Sequence, residues 1–303
     1  CMKVITSSVI ICTRNRPADI LICLHSLAKQ TVCADEIIII DSSDAPLESN
    51  NEFQQLFTPT HFGITHLVYR HTAPGLPYQR NVGISLATQE VVHFLDDDVI
   101  LTPPYLQIMN ETFANHPEYA GGMGTVTNIP VPLKRNWFRA MRHLFLLQRD
   151  YASGNFTWSG MPTHAYGLHE LKSVAVLGGC CMAYRRSVFV KHLFDEKLER
   201  YAFMEDCDFS CRVWRDALLF YNPHAQLEHH PSKANRDGIV DNRAMYIKNY
   251  SYLFFKNFYP RNRLKVIAYA WSVTGLFVEA AITRNSDYLK GYCKGLKQYY
   301  SAP

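Results

Sequence analysis

A repeated alternation of short β-branched runs and helical spacing, within the first hundred residues, most constrains what this chain folds into. Residues 8–12 (SVIIC), 36–40 (EIIII) and 91–95 (VVHFL) are almost continuously apolar, which is typical of strands buried in a parallel sheet. Residues 18–29 carry apolar side chains at helical spacing, and residues 65–69 (THLVY) predict a further strand. The pattern predicts an α/β fold with a mainly parallel sheet flanked by helices.

Three polar clusters directly follow predicted strands. They are TRNRP at 13–17, DSSD at 41–44 and DDD at 96–98. In α/β sheets, ligands bind at the carboxyl ends of the strands, so these clusters are candidates for a binding site. Strands also need polar turns where they end, so this position alone leaves a structural and a functional explanation equally open.

Composition limits the class of protein. Of the 303 residues, 48% are apolar and 19% charged, a globular ratio that excludes a disordered or fibrous protein. The net charge of +4 is too small for a dedicated nucleic-acid binder, so we expect no nucleic-acid partner. Residues 231–303 carry a net charge of +8, and residues 1–230 a net charge of −4. The length fits one large domain with a basic appendage.

Cysteine usage and hydropathy favour a cytosolic protein. Nine cysteines include no CxxC pair; Cys207 and Cys211 could share a helix face and bind a metal, but no second pair lies nearby. The cysteines are therefore expected to be reduced and to act as small apolar residues. The start of the chain lacks a signal-peptide pattern. The apolar stretch Val266 to Val278 ends at Glu279 and is expected to be too short to span a membrane.

Beyond residue 104 the periodicity weakens. Residues 130–175 show no clean period and are rich in aromatic residues and arginine. Helices are expected over 187–193 and 206–215. Two C-terminal helices, over 246–259 and 264–282, are expected on either side of Pro260.

Three adjacent carboxylates, Asp96, Asp97 and Asp98, follow the strand at 91–95. Such carboxylates repel one another unless a cation or hydrogen bonds offset their charge. Oxygen ligands suit Mg²⁺ or Mn²⁺, which typically bridge to substrate phosphates. The alternative is a solvated acidic turn, which the position at a strand end makes less favourable.

A second acidic cluster, Glu205-Asp206-Cys207-Asp208, opens a predicted helix. Capping the helix explains one carboxylate, because a helix N-terminus stabilises negative charge. Three carboxylates exceed that need, so one of them is a candidate to accept a proton from a substrate hydroxyl.

Two basic features complete the candidates. His229 and His230 follow a strand-like segment, and a neutral imidazole there could complete a metal site begun by Asp98, although a structural role is equally open. Arg80 lies where a loop enters a helix, suited to a base or a phosphate; the alternative is a surface ion pair.

The order of these segments resembles the GT-A-fold glycosyltransferases of family 2, the inverting glycosyl transferase family 2 type. The resemblance covers roughly residues 7–232 and rests on seven motifs in order: SVIICTRNRP, EIIIIDSSD, GLPYQRNVGISLAT, VVHFLDDDV, GGCCMAYRR, FDEKL with FMEDCDFSCR, and LEHH. Each motif is weak alone, but seven in sequence are specific. The resemblance implies a GT-A domain over 1–232, with a nucleotide-binding half over 1–104, an acceptor-binding half over 105–232, and a basic helical extension over 233–303.

The resemblance also implies roles for five residues at the nucleotide. Thr13 and Asp41 are expected to contact the base, with Arg14 beside them. Arg80 is expected near the base or phosphate, and Asp96 to face the ribose.

Asp98 is the other outer residue of the DxD motif, and the resemblance implies that it holds a Mg²⁺ or Mn²⁺ ion on the diphosphate. His229 matches a further metal-side residue of some relatives. Asp206 corresponds to the catalytic base, which takes a proton from the acceptor hydroxyl as it attacks from the opposite face and inverts the anomeric centre.

The implied substrates are a UDP- or dTDP-type sugar nucleotide and a glycan or lipid-linked glycan acceptor, as in polysaccharide biosynthesis at the cell envelope. The helix after Asp206 lacks the QxxRW motif of processive members, so transfer of one or a few sugars is expected. Two alternatives stay open. An inactive sugar-nucleotide-binding relative should have lost acidic residues that are present here, and a nucleotidyltransferase normally shows a glycine-rich phosphate loop that TRNRP lacks.

Two basic, apolar segments predict where the enzyme works. Residues 133–151 mix five Lys and Arg residues with many large apolar residues, and three basic residues precede the apolar stretch at 266–278. Both could lie on an anionic membrane, or pack on the core or on a second subunit, and 133–151 could instead line the acceptor cleft. The expected location is the cytoplasm, with peripheral contact to the inner face of the cell membrane.

Overall fold

A computed structural model describes residues 4–63, 66–129, 137–149, 153–199, 201–231 and 238–301. Eleven strands lie in these ranges: β1 Ser7–Thr13, β2 Glu36–Asp41, β3 His66–His71, β4 Val91–Asp96, β5 Val99–Leu101, β6 Tyr119–Val126, β7 Asn155–Phe156, β8 Pro162–Thr163, β9 Lys172–Val174, β10 Met182–Arg185 and β11 Leu218–His229.

Ten α-helices lie in the same ranges: α1 Pro17–Leu27, α2 Asn51–Leu56, α3 Pro59–Phe62, α4 Leu76–Leu86, α5 Tyr105–Asn115, α6 Trp137–Leu144, α7 Glu205–Trp214, α8 Ile239–Leu253, α9 Lys265–Ile282 and α10 Ser286–Tyr300. Short 3₁₀ segments cover Leu47–Ser49 and Arg186–Val190, and a π-helical turn covers Phe254–Phe258.

The sheet is mixed and mostly parallel at its N-terminal half. Its strand order is β3-β2-β1-β4-β10-β6-β11-β5. Strand β9 is not part of this order and pairs with β11. Strands β1 to β4 are parallel to one another. Every residue of β1 and β2 is buried except Cys12, which is half-buried. Helices cover both faces, as this apolar composition requires. The predicted α/β fold is confirmed.

Register explains why the polar clusters meet. Thr13 pairs with Asp41 across β1 and β2, and Cys12 pairs with Asp96 across β1 and β4. The clusters that follow these strands therefore share one edge of the sheet. The antiparallel strand β10 lies beside β4 and brings the turn at Gly178–Gly179 to the same edge.

The C-terminal helices share a second apolar core with the helix that opens at Glu205. Side chains of α7, α8, α9 and the π-helical turn meet there, among them Cys207, Cys211, Tyr250, Phe254 and Leu276. Helices α8 and α10 pack closely because Gly291 and Gly295 leave no Cβ; an added one would lie 2.7 Å and 2.2 Å from carbonyl oxygens of α8.

Several element predictions are corrected. The helix expected over 187–193 is a 3₁₀ segment, the first C-terminal helix begins at Ile239 rather than 246, and α10 was not predicted. The division near Pro260 is confirmed. In the supposedly irregular 130–175 region, α6 and three short strands form, and residues 130–136 and 150–152 lie outside the described ranges.

The apolar stretch of α9 does not end at Glu279. The helix continues to Ile282. Among the described helices it is the one whose length and apolar composition would allow it to cross a membrane. One third of it is buried in the protein.

Candidate active site

A cleft of about 920 Å³ opens at the carboxyl edge of the sheet. Its walls come from the ends of β1 and β4, the segment after β8, the turn before β10 and the start of α7. The predicted site residues that line it are Thr13, Arg14, Arg80, Asp96, Asp98, Asp206 and His229. Asp41 is not among the residues that line the cleft.

The middle carboxylate of the DDD sequence, Asp97, is a structural link. It is 2% exposed and accepts hydrogen bonds from Thr13 Oγ1 at 2.6 Å and from Arg16 Nη1 at 2.9 Å. Burial raises the pKa of Asp97 to about 7, although Arg16 and Thr13 act in the opposite direction. All three residues line the cleft, and Asp97 is the one that ties this turn to Thr13 and Arg16.

Asp98 and His229 meet as the motif order suggested. His229 Nε2 lies 2.9 Å from Asp98 Oδ1 and 4.0 Å from Asp96 Oδ2. Although burial opposes the charged imidazole, the bond to Asp98 and the neighbouring carboxylates raise the pKa of His229 to about 9. The proton on His229 offsets the carboxylate charge at the point where a cation would bind.

These three side chains fit a divalent cation. Their ligand atoms all lie within 4.8 Å of one another, and two carboxylates with one imidazole suit Mn²⁺ or Mg²⁺. A cation there would replace the His229 proton as the charge between the carboxylates.

Arg80 is buried at the base of the cleft. Its guanidinium, 3% exposed, contacts the Glu205 carboxylate, lies 3.4 Å from Asp96 Oδ1 and donates to the Gly179 carbonyl oxygen at 3.1 Å. Burial and the adjacent Asp206 raise the pKa of Glu205 to about 8, although Arg80 acts in the opposite direction. Arg80 therefore ties the DDD turn to the start of α7.

The Asp206 carboxylate is oriented by two backbone donors. Gly179 N donates to Oδ2 and Cys207 N donates to Oδ1, each at 2.7 Å. A carboxylate accepts further bonds through its remaining lone pairs, so Asp206 still has capacity toward the cleft. A side chain at Gly179 would be tight, because a Cβ there would lie 3.2 Å from both Arg80 Nη2 and Glu205 Oε1.

The loop before α7 has an unusual backbone. Ala202 and Met204 have φ values of 50° and 72°, in the left-handed region that non-glycine residues rarely adopt. Such conformations concentrate at functional sites. Tyr201, Phe203 and Met204 of this loop line the cleft beside Asp206.

Asp41 and Arg14, both predicted at the nucleotide, lie in different surroundings: Asp41 is buried outside the cleft lining, and Arg14 lines the cleft. The Asp41 carboxylate is fully buried and accepts bonds from Ser43 N, Leu47 N and Tyr69 OH, each at 2.8 Å. Arg14 lines the cleft with about half of its side chain exposed, 3.7 Å from Asp44. The contacts of Asp41 and Arg14 with a base remain predictions.

Sequence reasoning missed three residues of this cleft. Arg16 was noted only as part of a turn. It pairs with Asp97 because β4 lies beside β1 in the sheet, which a sequence pattern does not show. His164 and Tyr166 line the cleft from a segment with no periodic pattern, and their rings stack with centroids 5.6 Å apart. No sequence signal pointed to this pair.

The fold and cleft define a class of protein. Residues 8–193, more than half of the chain, match the family Glycosyl transferase family 2. The chain belongs to this family and is a glycosyltransferase with a GT-A fold. A search of curated proteins finds no match.

Two solved structures are similar to the chain. One is GalNAc-T7 in a crystal structure with UDP, GalNAc and Mn²⁺, with a TM-score of 0.57 and 16% identity, covering 82% of this chain. This chain spans about half of that protein, 48% of its length. The other is residues 1–349 of TarS from S. aureus, with a TM-score of 0.57 and 15% identity, covering 97% of this chain and 80% of that one. At these identities the likeness shows the fold.

Proposed function

We propose that the protein is a metal-dependent, inverting and non-processive glycosyltransferase. It moves a sugar from a UDP- or dTDP-type sugar nucleotide to a hydroxyl of a glycan or lipid-linked glycan. The observation that carries this proposal is the position of Asp206: two backbone N–H groups fix its carboxylate in the same cleft as Asp96 and Asp98. The proposed proton acceptor, Asp206, and the proposed diphosphate-binding residues, Asp96 and Asp98, thus line the same cleft.

The nucleotide half of the cleft lies at the ends of β1 and β4. Thr13, Arg14, Arg80 and Asp96 are proposed to form it, with Asp41 as a buried support outside its lining. Arg14 lines the cleft with about half of its side chain exposed and is proposed to contact the base or phosphate, whereas Arg80 supports the site from below through its contacts with Asp96. Asp41 acts by closing the 41–47 turn with its two backbone contacts.

Asp98 and His229, with Asp96 beside them, would hold Mg²⁺ or Mn²⁺, which supplies charge neutralisation for the departing nucleoside diphosphate. The similar GalNAc-T7 structure contains UDP and Mn²⁺, which supports this choice of ligand.

Asp206 is the proposed general base. It accepts the proton of the acceptor hydroxyl, whose oxygen bonds to the anomeric carbon as the bond to the diphosphate oxygen breaks. Gly179 N–H keeps the carboxylate aimed at the cleft, and no covalent enzyme intermediate is needed. A single displacement inverts the anomeric centre.

Release of free nucleoside diphosphate tests this function. The protein is incubated with a panel of sugar nucleotides and Mn²⁺, and the nucleotide that raises the melting temperature is used as donor. Asp206→Asn should lower turnover about 10²–10⁴-fold, because the amide cannot accept the proton, while donor binding is retained. Normal turnover by this variant would move the role to another carboxylate. Transfer of a nucleotidyl group with pyrophosphate release would favour a nucleotidyltransferase, and donor binding without release would favour an inactive relative.

The metal assignment has its own test. Asp98→Ala should abolish most of the turnover, and EDTA should do the same to the unaltered protein, with recovery on adding Mn²⁺. Full activity in EDTA would contradict the metal role and leave His229 as a structural partner of Asp98.

We propose that residues 1–232 act as the catalytic unit, with a nucleotide half over 1–104 and an acceptor half over 105–232. The helical region over 233–303 adds a membrane-facing surface. Four apolar side chains in α9 or directly before it follow helical spacing and are 44–67% exposed: Leu264, Ile267, Trp271 and Ile282. Trp271 Nε1 donates to the Leu144 carbonyl oxygen, which joins this stripe to the end of α6.

Charge complementarity selects an anionic lipid surface as the partner of this stripe. Trp137 and Leu144 of α6 are also exposed, at 65% and 64%, and none of the described residues 137–149 lines the cleft. Exposed Arg261 and Arg263 precede the stripe. A helix with an apolar face and flanking cations lies in the membrane interface, where each cation contributes about 1 kcal/mol. The proposed location is therefore the inner face of the cell membrane.

Co-sedimentation with liposomes decides this. Binding to vesicles containing anionic lipid should fall with salt, and Ile267→Glu should weaken it. Val190→Glu is a matched control, because Val190 is 93% exposed on another part of the surface. Equal recovery in the supernatant with and without anionic vesicles would contradict membrane binding and would favour packing of the stripe against a second subunit.

A further inference from the structure

A second group of metal-competent side chains lies on the acceptor side of the cleft. His164, from the segment after β8, meets Asp206 and Cys207 of the first turn of α7. One ligand atom from each lies within 4.8 Å of the others. The three residues share no member with the Asp96, Asp98 and His229 cluster.

His164 is prepared to act as a ligand. Burial lowers its pKa, so the imidazole is neutral and keeps a lone pair. Its Nδ1 is buried and has no hydrogen-bond partner among the residues that the structure describes. The ring stacks on Tyr166 with an interplanar angle of 23°, which fixes its position. A buried polar nitrogen without a partner is uncommon in folded proteins, and a missing ligand is one explanation for it.

Cys207 and Asp206 supply the other two donors. The Cys207 side chain is 2% exposed and lines the cleft next to the Asp206 carboxylate. Asp206 accepts one backbone bond on each oxygen and has lone pairs left. The cluster therefore offers one nitrogen, one sulfur and one oxygen to the same point.

This donor set differs in chemistry from the first cluster. Two carboxylates and an imidazole favour Mg²⁺ or Mn²⁺, whereas a thiolate with an imidazole favours Zn²⁺, which takes three protein ligands and leaves a fourth position for water. In a tetrahedral zinc site with bonds of about 2.0–2.3 Å the ligand atoms lie roughly 3.3–3.7 Å apart, so donors up to 4.8 Å apart must approach one another by up to roughly 1.5 Å.

We propose that His164, Asp206 and Cys207 form a second metal site that takes Zn²⁺. On binding, the Cys207 thiol gives its proton to solvent and its sulfur bonds to the metal as thiolate. His164 needs to lose no proton. Because Asp206 is a ligand, Zn²⁺ removes the general base and inhibits transfer. The binding follows from this geometry, and the inhibition rests on the proposed function.

Zinc binding is measured first, in a background that lacks the other cluster. Asp98→Asn with His229→Gln removes that competitor, and a competing fluorescent chelator reports the Zn²⁺ affinity. One Zn²⁺ per chain should bind, and adding Cys207→Ser should weaken it at least tenfold. Cys211→Ser is the matched control, because Cys211 is a free buried cysteine one turn along the same helix, and it should leave the affinity unchanged.

Two further readouts keep the proposal decisive. His164→Gln lies on a different segment and should weaken binding at least tenfold even if the Cys207 variant does not fold. Co²⁺ in place of Zn²⁺ should show a thiolate charge-transfer band that is lost in Cys207→Ser. Absence of Zn²⁺ binding in the background protein, or binding that both variants leave intact, overturns the site.

Inhibition separates this proposal from the function itself. With Mn²⁺ saturating, Zn²⁺ should inhibit nucleoside diphosphate release, and His164→Gln should be inhibited at least tenfold less sensitively, relative to its own uninhibited rate. If no nucleotide is released by any form, the proposed function fails while the chelator and Co²⁺ results still decide the metal site. Zinc binding without inhibition of an active protein would overturn the inhibitory role.

Discussion

Replacing Arg80 with methionine tests what holds the buried carboxylates of the cleft together. The guanidinium contacts Glu205 and lies 3.4 Å from Asp96. With Arg80 in place the pKa of Glu205 is about 8, and without Arg80 desolvation keeps the proton on this buried carboxyl to a still higher pH. The ordinary pKa of the group is about 4.3, so holding the proton costs about 1.4 kcal/mol of unfolding free energy for each pH unit above that value, until the folded-state pKa is reached.

The sign of the pH dependence follows from proton counting. In both proteins the folded state holds a proton on Glu205 that the unfolded chain releases above about pH 4.3, so this group lowers stability as the pH rises. In the unaltered protein the fall ends near pH 8, whereas in the Arg80→Met protein it continues, so the loss relative to the unaltered protein should be about 1 kcal/mol larger at pH 9 than at pH 7.

Urea unfolding at both pH values measures this loss. Glu205→Gln removes the titrating carboxyl, so in that background Arg80→Met should cost the same unfolding free energy at pH 7 and at pH 9. Arg186→Met replaces an exposed arginine and, as control, should stay within about 0.5 kcal/mol of the parent. An equal loss at pH 7 and at pH 9 would show that Arg80 does not compensate Glu205.

Two further predictions concern the sheet. Gly122→Ala places a Cβ 2.3 Å from the Phe220 ring, so the unfolding free energy should fall by about 1–3 kcal/mol in urea titrations, and an unchanged midpoint would mean that the ring moves freely. Burial lowers the pKa of His93 to about 4, so the folded state resists a proton that the unfolded chain accepts below about 6.5. Stability should therefore fall by up to about 3 kcal/mol from pH 6.5 to pH 4, and His93→Gln should reduce that slope; an equal slope in both proteins would assign it elsewhere.

The sheet and its polar edge could be predicted because local signals specify them. The β-branched runs fix buried parallel strands, and parallel strands carry the residues after them to one edge. His229 was expected beside Asp98 for another reason, because an imidazole could complete a metal site there and the residue matches a metal-side position of the resembling family; the two side chains, 131 positions apart in the chain, lie 2.9 Å apart. Their role as metal ligands remains a prediction.

Residues placed by long-range packing could not be predicted in this way. His164 reaches the cleft from a segment whose strands are two or three residues long, too short for a period. Helix α10 was missed because Gly291 and Gly295 lower helix propensity in sequence, while in the fold these glycines allow close contact with α8. A residue that weakens a helix locally thus stabilises the packing of that helix.

The C-terminal helices also help to position the proposed base. The Asp208 carboxylate, one turn into α7 and fully buried, receives bonds from Lys256 Nζ at 2.9 Å, Asn257 Nδ2 at 2.8 Å and Arg212 Nε at 2.9 Å. Lys256 and Asn257 are consecutive in the π-helical turn, which aims both at one carboxylate.

A buried carboxylate is stable only while its partners stay in place, and removing one partner of such a pair typically costs about 3–5 kcal/mol. The first turn of α7, which carries Asp206, is therefore held from two directions. Arg80 and Gly179 hold it from the sheet, and the π-helical turn holds it from the C-terminal helices through Asp208. Since these helices also share an apolar core with α7, removing their packing should loosen the turn that carries the proposed base.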